Sequence, residues 1–195
     1  MNNPVHHKTV IAGFLLTMML GWGGSLAGQT TPIRFSLSGA SITEKDTFVV
    51  TLRADSLLTG RSVYAYRYYI TYSPAYFEFL SIDGVSSLLS AWGLPVLNSS
   101  NAGTLILAGA GTAPLAGSGE MIYLKFRSLR SGNNYISFNT TESYLNERNP
   151  PAIFSNGYIT ASARSYPDIS PDQAQMFIGA EVQMSVSGGE APYVY

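Results

Sequence analysis

The sequence contains no cysteine, and its two histidines, His6 and His7, lie at the start of the chain. A chain without cysteine cannot form disulfides, so any folded domain must be stabilised by packing alone. Charged residues make up only 12% of the chain, and the formal net charge is −1. Because no basic surplus is available for phosphate backbones, we expect no nucleic-acid partner.

The scarcity of histidine also argues against catalysis. We expect both histidines to be removed with an N-terminal signal peptide, and without an imidazole a serine nucleophile lacks its usual base and general acid–base chemistry loses its commonest group. The carboxylates at Asp55, Glu78, Asp83 and Glu120 are dispersed near turns. We therefore expect a protein that is not an enzyme, with no catalytic residue, no cofactor and no metal-ligand set. A single structural calcium ion in a loop is left open.

The first 27 residues are typical of a secretory signal peptide. A polar start with Lys8 is followed by an apolar run of about 13 residues, Val10–Trp22, and then by the small residues Ser25 and Ala27. The run is shorter than the roughly 20 residues that span a bilayer. We expect residues 1–27 to be removed, which leaves a secreted chain with net charge −2 and no membrane span. An uncleaved anchor is the alternative.

Alternating apolar residues predict β-strands through the middle of the chain. Phe48, Val50 and Leu52 share one face of FVVTLRAD, and the same period of two recurs in EMIYLKFRS. Such segments, separated by Gly, Pro, Asn and Ser, favour an all-β sandwich. Nine strands are predicted, at 33–38, 47–54, 64–72, 77–82, 92–97, 104–110, 119–128, 134–138 and 157–162.

The character of the sequence changes after residue 163. SYPDISPDQAQ has the composition of a linker, and FIGAEVQMSVSGG begins another alternating segment. We therefore divide the chain into a signal peptide (1–27), a β-sandwich (28–163), and a linker with the truncated, incomplete start of a second, Ig-like β module (164–195).

The order of these features resembles the bacterial cohesin domain and its carbohydrate-binding-module relatives. TFVVTLRADSL is similar to the second strand of that family, YRYYITYSPAYFEFLSI to the third and fourth, NAGTLILAGAG to the sixth, GSGEMIYLKFRSL to the seventh and FSNGYITAS to the last. The resemblance implies a nine-stranded jelly-roll sandwich. The turn Tyr72-Ser73-Pro74 departs from the family, which usually has Asp before the proline.

The tyrosine-rich strand predicts both core and surface. Ile70 points the even row toward the core, so Tyr66, Tyr68 and Tyr72 are expected to be mostly buried. The odd row then faces outward, and the resemblance implies that this face meets a dockerin module. The candidate partner-binding residues are Arg67, Tyr69, Thr71 and Tyr123. The alternative is an ordinary solvated strand face.

Three functions remain open. The preferred one is a non-catalytic, cohesin-like module that binds dockerin-type proteins in polysaccharide-degrading or cell-surface assemblies. The second is a carbohydrate-binding module for polysaccharide, with Tyr69 and Trp92 as sugar-stacking rings, although Trp92 is also suited to anchoring a strand. The third is a structural stalk unit. In each case we expect an extracellular protein, with attachment to a cell surface through further C-terminal modules left open.

Overall fold

The computed structural model describes residues 31–170, 178–179, 181, 183 and 185–188. The predicted signal peptide lies outside these residues. In the described part no helix is long and apolar enough to cross a membrane. The strands are β1 Ile33–Leu37, β2 Ala40–Thr43, β3 Thr47–Ala54, β4 Ala65–Thr71, β5 Phe77–Val85, β6 Val96–Asn98, β7 Thr104–Ala110, β8 Gly119–Ser128, β9 Gly132–Phe138, β10 Tyr144–Leu145, β11 Ala152–Ser155, β12 Gly157–Ser162, β13 Pro167–Ser170 and β14 Ser185–Gly188.

Two sheets form the sandwich. The five-stranded sheet has the order β11-β1-β3-β8-β5. The seven-stranded sheet has the order β2-β12-β9-β4-β7-β6, with β10 also paired to β4. Two pairs, β1 with β11 and β2 with β12, are parallel, and the other pairs are antiparallel. The predicted all-β sandwich is therefore confirmed.

At two places the chain passes from one sheet to the other with only one or two residues between the strands, which alternation does not reveal. The predicted strand at 33–38 ends at Leu37, and β2 continues in the other sheet; β11 and β12 make the same change around Asn156. The two changes lie side by side. A Cβ atom on Gly39 would be 2.7 Å from the Tyr158 carbonyl oxygen, and one on Gly157 would be 2.5 Å from that of Ser38. Glycine is required by this close approach.

Strand number and length also differ from the sequence prediction. Nine strands were predicted, and the described sandwich has twelve. The three additional strands are β2, β10 and β11. The predicted strand at 92–97 is reduced to Val96–Asn98, because turns occupy the residues around Trp92. The bounds of β3, β7, β8 and β12 are as predicted.

Aromatic rings fill the centre of the core. Tyr66, Tyr68 and Ile70 of β4 are buried, as the even row predicted, whereas Tyr72 is half-buried against Phe126. The Tyr68 ring is fully buried. Since large aromatic side chains bury the most area per residue, this cluster is where packing contributes most to stability.

Burial of these tyrosines predicts a loss of stability at alkaline pH. Desolvation raises the pKa of Tyr66 to about 12 and the pKa of Tyr68 well above its ordinary value. A raised folded-state pKa contributes stability below the unfolded pKa of about 10, and that contribution is lost as the pH rises toward the folded value. We expect the free energy of unfolding, measured with urea, to fall by about 1 kcal/mol or more between pH 9 and 11. Tyr66→Phe should flatten this dependence; an equally steep fall in that variant would contradict the assignment.

The described residues after 166 include one two-stranded sheet. β13 pairs with β14 in antiparallel register, from Pro167 opposite Gly188 to Ser170 opposite Ser185. The other residues of the expected second module lie outside the described part. The division at residue 163 and the incomplete module stay predictions.

Candidate partner-binding face

Three of the predicted site residues lie together. Arg67, Tyr69 and Thr71 point outward from β4, near the middle of the seven-stranded sheet. Their register partners on β7 are Ala108, Ile106 and Thr104, in that order. Because paired residues on antiparallel strands point to the same side, these six side chains share one surface.

Tyr123, the fourth predicted partner-binding residue, lies on the other side of the sandwich. It belongs to β8 in the five-stranded sheet, and its hydroxyl donates to Glu120 Oε2 at 2.8 Å. This hydrogen bond is the main cause that raises the pKa of Tyr123. Tyr123 therefore does not share a surface with Arg67 and Tyr69, because alternation shows that a side chain points outward but not from which sheet.

Trp92, the predicted sugar-stacking alternative, is half-buried in a turn before β6. Its ring is parallel to that of Tyr66, with centroids 6.0 Å apart, and its Nε1 donates to the Ala113 carbonyl at 3.1 Å. Gly111 provides the space, because a Cβ there would be 2.1 Å from Nε1. Trp92 thus anchors the turn to the core, and it does not share a surface with outward-pointing Tyr69.

The two outer surfaces of the sandwich differ in charge. In the strands described for the seven-stranded sheet, Arg67 is the single charged residue. We call its outer surface the charge-poor face, and its central residues are Arg67, Tyr69, Thr71, Val96, Asn98, Thr104, Ile106, Ala108, Tyr135, Ser137 and Tyr158. The outer surface of the five-stranded sheet is the charged face, and the charged residues of its strands are Arg34, Arg53, Glu78, Asp83, Glu120, Lys125 and Arg127.

Ion pairs cross the charged face from strand to strand. Arg127 Nη1 lies 3.3 Å from Glu78 Oε2, and Lys125 Nζ lies 3.8 Å from Asp83 Oδ1. Arg53 adds a third pair with Glu120 at 3.6 Å. Exposed pairs of this kind contribute about 0–1 kcal/mol each and keep a surface solvated. The charged face therefore has the properties of a water-facing surface.

A small cluster of charge borders the charge-poor face. Arg67 Nη1 lies 3.6 Å from Glu142 Oε2, and its guanidinium carbon lies 5.9 Å from the Tyr144 ring centroid. Arg148 approaches the same ring at 5.0 Å. Interaction with the Tyr144 hydroxyl raises the pKa of Arg67. The result is an oriented cation on a surface whose described strands carry no other charge.

A loop completes the edge of β4 beside this cluster. β9 pairs with Ile70 and Thr71 at the end of β4, whereas β10 pairs with Tyr66 and Arg67 nearer its start. Between them, Ser143 Oγ accepts from the Tyr69 backbone N–H at 2.9 Å, and the Asn139 N–H donates to the Tyr69 carbonyl at 2.8 Å. Side-chain and loop groups thus replace a neighbouring strand at Tyr69, and the backbone hydrogen bonds fix its position.

The Asn146 side chain holds the end of this loop in place with four hydrogen bonds. Its Oδ1 accepts from the backbone N–H groups of Tyr64 and Ala65 at 2.9 and 3.0 Å. Its Nδ2 donates to the carbonyls of Ser62 and Asn149 at 2.9 and 2.8 Å. Its φ of 43° lies in the left-handed region, which asparagine tolerates better than most residues.

Asn146→Ala is expected to lower the free energy of unfolding by about 2 kcal/mol, because it removes four hydrogen bonds that are each worth roughly 0.5–1.5 kcal/mol. Asn146→Gly, which relieves the left-handed backbone, is the matched variant. We expect the free energy of unfolding, measured with urea, to fall by a similar amount in both variants. A glycine variant as stable as the wild type would show that backbone conformation, not the side-chain hydrogen bonds, matters at this position.

Sequence reasoning missed several residues of the charge-poor face. Val96 is 75% exposed, and it pairs with Ala108 at the β6 edge. Tyr135 and Tyr158 are 56% and 45% exposed and are register partners, with ring centroids 4.9 Å apart. Alternation marks each as outward-pointing. Only the strand order shows that they share a surface with Tyr69.

The described residues contain no group of three or more His, Cys, Asp or Glu side chains placed to hold a metal ion. The buried side-chain nitrogen and oxygen atoms in this part of the chain all have hydrogen-bond partners.

The sandwich is similar to solved cohesin modules. The third cohesin of ScaC, solved with the ScaB dockerin from Acetivibrio cellulolyticus, is 13% identical, with a TM-score of 0.57 over 67% of this chain and 99% of that one. A cohesin from Clostridium acetobutylicum is 17% identical, with a TM-score of 0.57 over 67% and 91%. A non-cellulosomal cohesin from the archaeon Archaeoglobus fulgidus is 13% identical, with a TM-score of 0.53 over 67% and 91%. No protein-family model and no curated protein matches the chain.

These similarities define the fold class of the protein as an all-β sandwich of the cohesin kind. The predicted resemblance to cohesins is confirmed at the level of the fold. Because a fold hosts several functions, the role of this chain must be argued from its surfaces.

Proposed function

We propose that the protein is a non-catalytic binding module that captures a dockerin-type protein module on its charge-poor face. The proposal is supported by the cohesin fold, because several of the similar structures are cohesins solved as complexes with dockerins. It also agrees with the expected signal peptide, from which we propose an extracellular location. The assembly would place this chain among secreted or cell-surface proteins.

The contrast between the two outer faces is the observation that carries this proposal. The cores of protein interfaces are depleted in charge and enriched in aromatic residues and arginine, as is the surface around Tyr69, Ile106 and Arg67. Charged groups on the opposite face pair with one another and would have to lose water on binding. The charge-poor face can be covered at a much smaller desolvation cost.

Polysaccharide binding by the residues first considered has less support. A sugar platform needs neighbouring exposed rings, whereas Trp92 stacks on buried Tyr66 and Tyr69 lies on the outer surface. We therefore rank protein association above sugar binding by Tyr69 and Trp92. The stalk role would leave the charge-poor face without a partner.

The test is a retention assay with the purified chain on beads. A panel of dockerin modules that includes the ScaB dockerin is applied in calcium and again in chelator, and insoluble polysaccharide is tested in parallel. We expect at least one dockerin to be retained in calcium and released by chelator. If polysaccharide is bound and every dockerin passes through, the ranking is reversed.

A further inference from the structure

The turn between β2 and β3, formed by Glu44, Lys45 and Asp46, is hydrogen-bonded to both sheets. The Glu44 N–H donates to the Ser162 carbonyl of β12 at 2.8 Å, and the Lys45 N–H donates to the Ser128 carbonyl of β8 at 3.0 Å. Ser128 in turn donates to the Asp46 carbonyl at 2.9 Å. Lys45 has a φ of 71°, which gives the turn its tight shape. We call these three residues the mount.

Arg164, two residues past the last strand of the sandwich, binds the mount with its side chain. Its Nε donates to the Glu44 carbonyl at 3.1 Å. Its Nη2 forms a hydrogen-bonded ion pair with Asp46 Oδ1. The guanidinium thus contacts a backbone and a side-chain acceptor at once, which uses the rigid fork of donors that distinguishes arginine from lysine.

Tyr166 is bound by the same turn. Lys45 Nζ donates to the Tyr166 hydroxyl at 3.2 Å and lies 5.8 Å from the ring centroid. This hydrogen bond is the main cause that raises the pKa of Lys45. The Tyr166 side chain is 61% exposed, so contact with Lys45, not burial, determines its position.

The contacted segment leads directly into the next element. β13 begins at Pro167, the residue after Tyr166, and proline fixes its own φ near −65°. On the neighbouring strand, a Cβ atom at Gly188 would lie 3.5 Å from the Tyr166 carbonyl oxygen. Tyr166, which contacts the mount, is therefore bonded directly to the first residue of the β13–β14 pair.

We propose that the mount is an intramolecular docking site for residues 164–166, which clamps the chain as it leaves the sandwich and sets the direction in which β13 departs. The predicted linker would then begin as a fixed joint. The clamp lies at the β2 edge of the seven-stranded sheet, the edge opposite β6. The inference does not depend on the proposed function.

The clamp is expected to depend on several contacts acting together. An exposed ion pair alone contributes little to stability and weakens with salt. Here one guanidinium joins an ion pair to a backbone hydrogen bond, and a second cation contacts the tyrosine two residues later. The conformational entropy lost by ordering residues 164–166 is lost only once, although several contacts benefit from it.

Backbone ¹⁵N relaxation of the full chain tests the clamp. In the wild type we expect order parameters near 0.85 at Ser165 and Tyr166, like those of the strands. In Arg164→Ala combined with Tyr166→Phe they should fall below about 0.6. Arg164→Lys, which keeps the charge without the fork, should give intermediate values.

Arg127→Ala is the matched control, since it removes an exposed arginine from an ion pair on the charged face. It should leave the order parameters at Ser165 and Tyr166 unchanged. The clamp is refuted if these values are already below about 0.6 in the wild type, or if they stay near 0.85 in the double variant while its urea unfolding curve matches that of the wild type.

Discussion

Ile106→Glu is expected to weaken binding of a retained dockerin by roughly 30-fold or more, measured by isothermal titration calorimetry. Ile106 lies between Tyr69 on β4 and Asn98 on β6, at the centre of the charge-poor face. Central interface residues commonly cost about 2 kcal/mol or more when changed, which corresponds to about 30-fold in affinity. A carboxylate there would also be desolvated without a partner.

The control for this variant is Val49→Glu on the charged face. Val49 is also a β-branched, partly exposed strand residue. Its register partner is Lys125, whose ammonium group can form an ion pair with a carboxylate introduced at position 49. We expect Val49→Glu to bind as the wild type does. Equal affinity of both variants and the wild type would move the binding surface away from the charge-poor face. A loss confined to Val49→Glu would place it on the opposite face.

The charge-poor face and its strand β4 show which structural features can be predicted from the sequence. Period-two alternation predicts that Tyr68 is buried and that Tyr69 points outward, because it depends only on neighbours along one strand. The pairing of Tyr69 with Ile106 depends on strand order, which joins residues far apart in the chain. The separation of Tyr123 from Tyr69 has the same origin, since two outward residues can belong to opposite faces.

Loops were the least predictable part of the candidate site. Tyr144 and Leu145 form a two-residue strand that carries no alternation to detect. The role of Asn146 arises from four backbone groups that meet only after the sandwich closes. The clamp at Arg164 is similar, because its acceptors at Glu44 and Asp46 are about 120 residues away in sequence. Such polar contacts follow from the fold.

Tyr68→Ala is expected to lower the free energy of unfolding by about 3–5 kcal/mol, the range for removing a large buried aromatic side chain. The Tyr68 ring is fully buried. Its centroid lies 4.7 Å from that of Tyr66 and 5.5 Å from that of Phe35. Since domains of this size are stable by only about 5–15 kcal/mol, the variant should be close to unfolding. Urea unfolding at pH 7, with unchanged slope as the check on two-state behaviour, measures the loss.

Tyr68→Phe separates the ring from its hydroxyl. The hydroxyl contacts Met121 Sδ at 4.0 Å, and a thioether is a weak acceptor. A buried hydroxyl with so weak a partner adds little, so Tyr68→Phe should stay within about 1 kcal/mol of the wild type. A loss in Tyr68→Phe as large as that in Tyr68→Ala would mean that a polar contact, and not aromatic packing, joins the two sheets at this point.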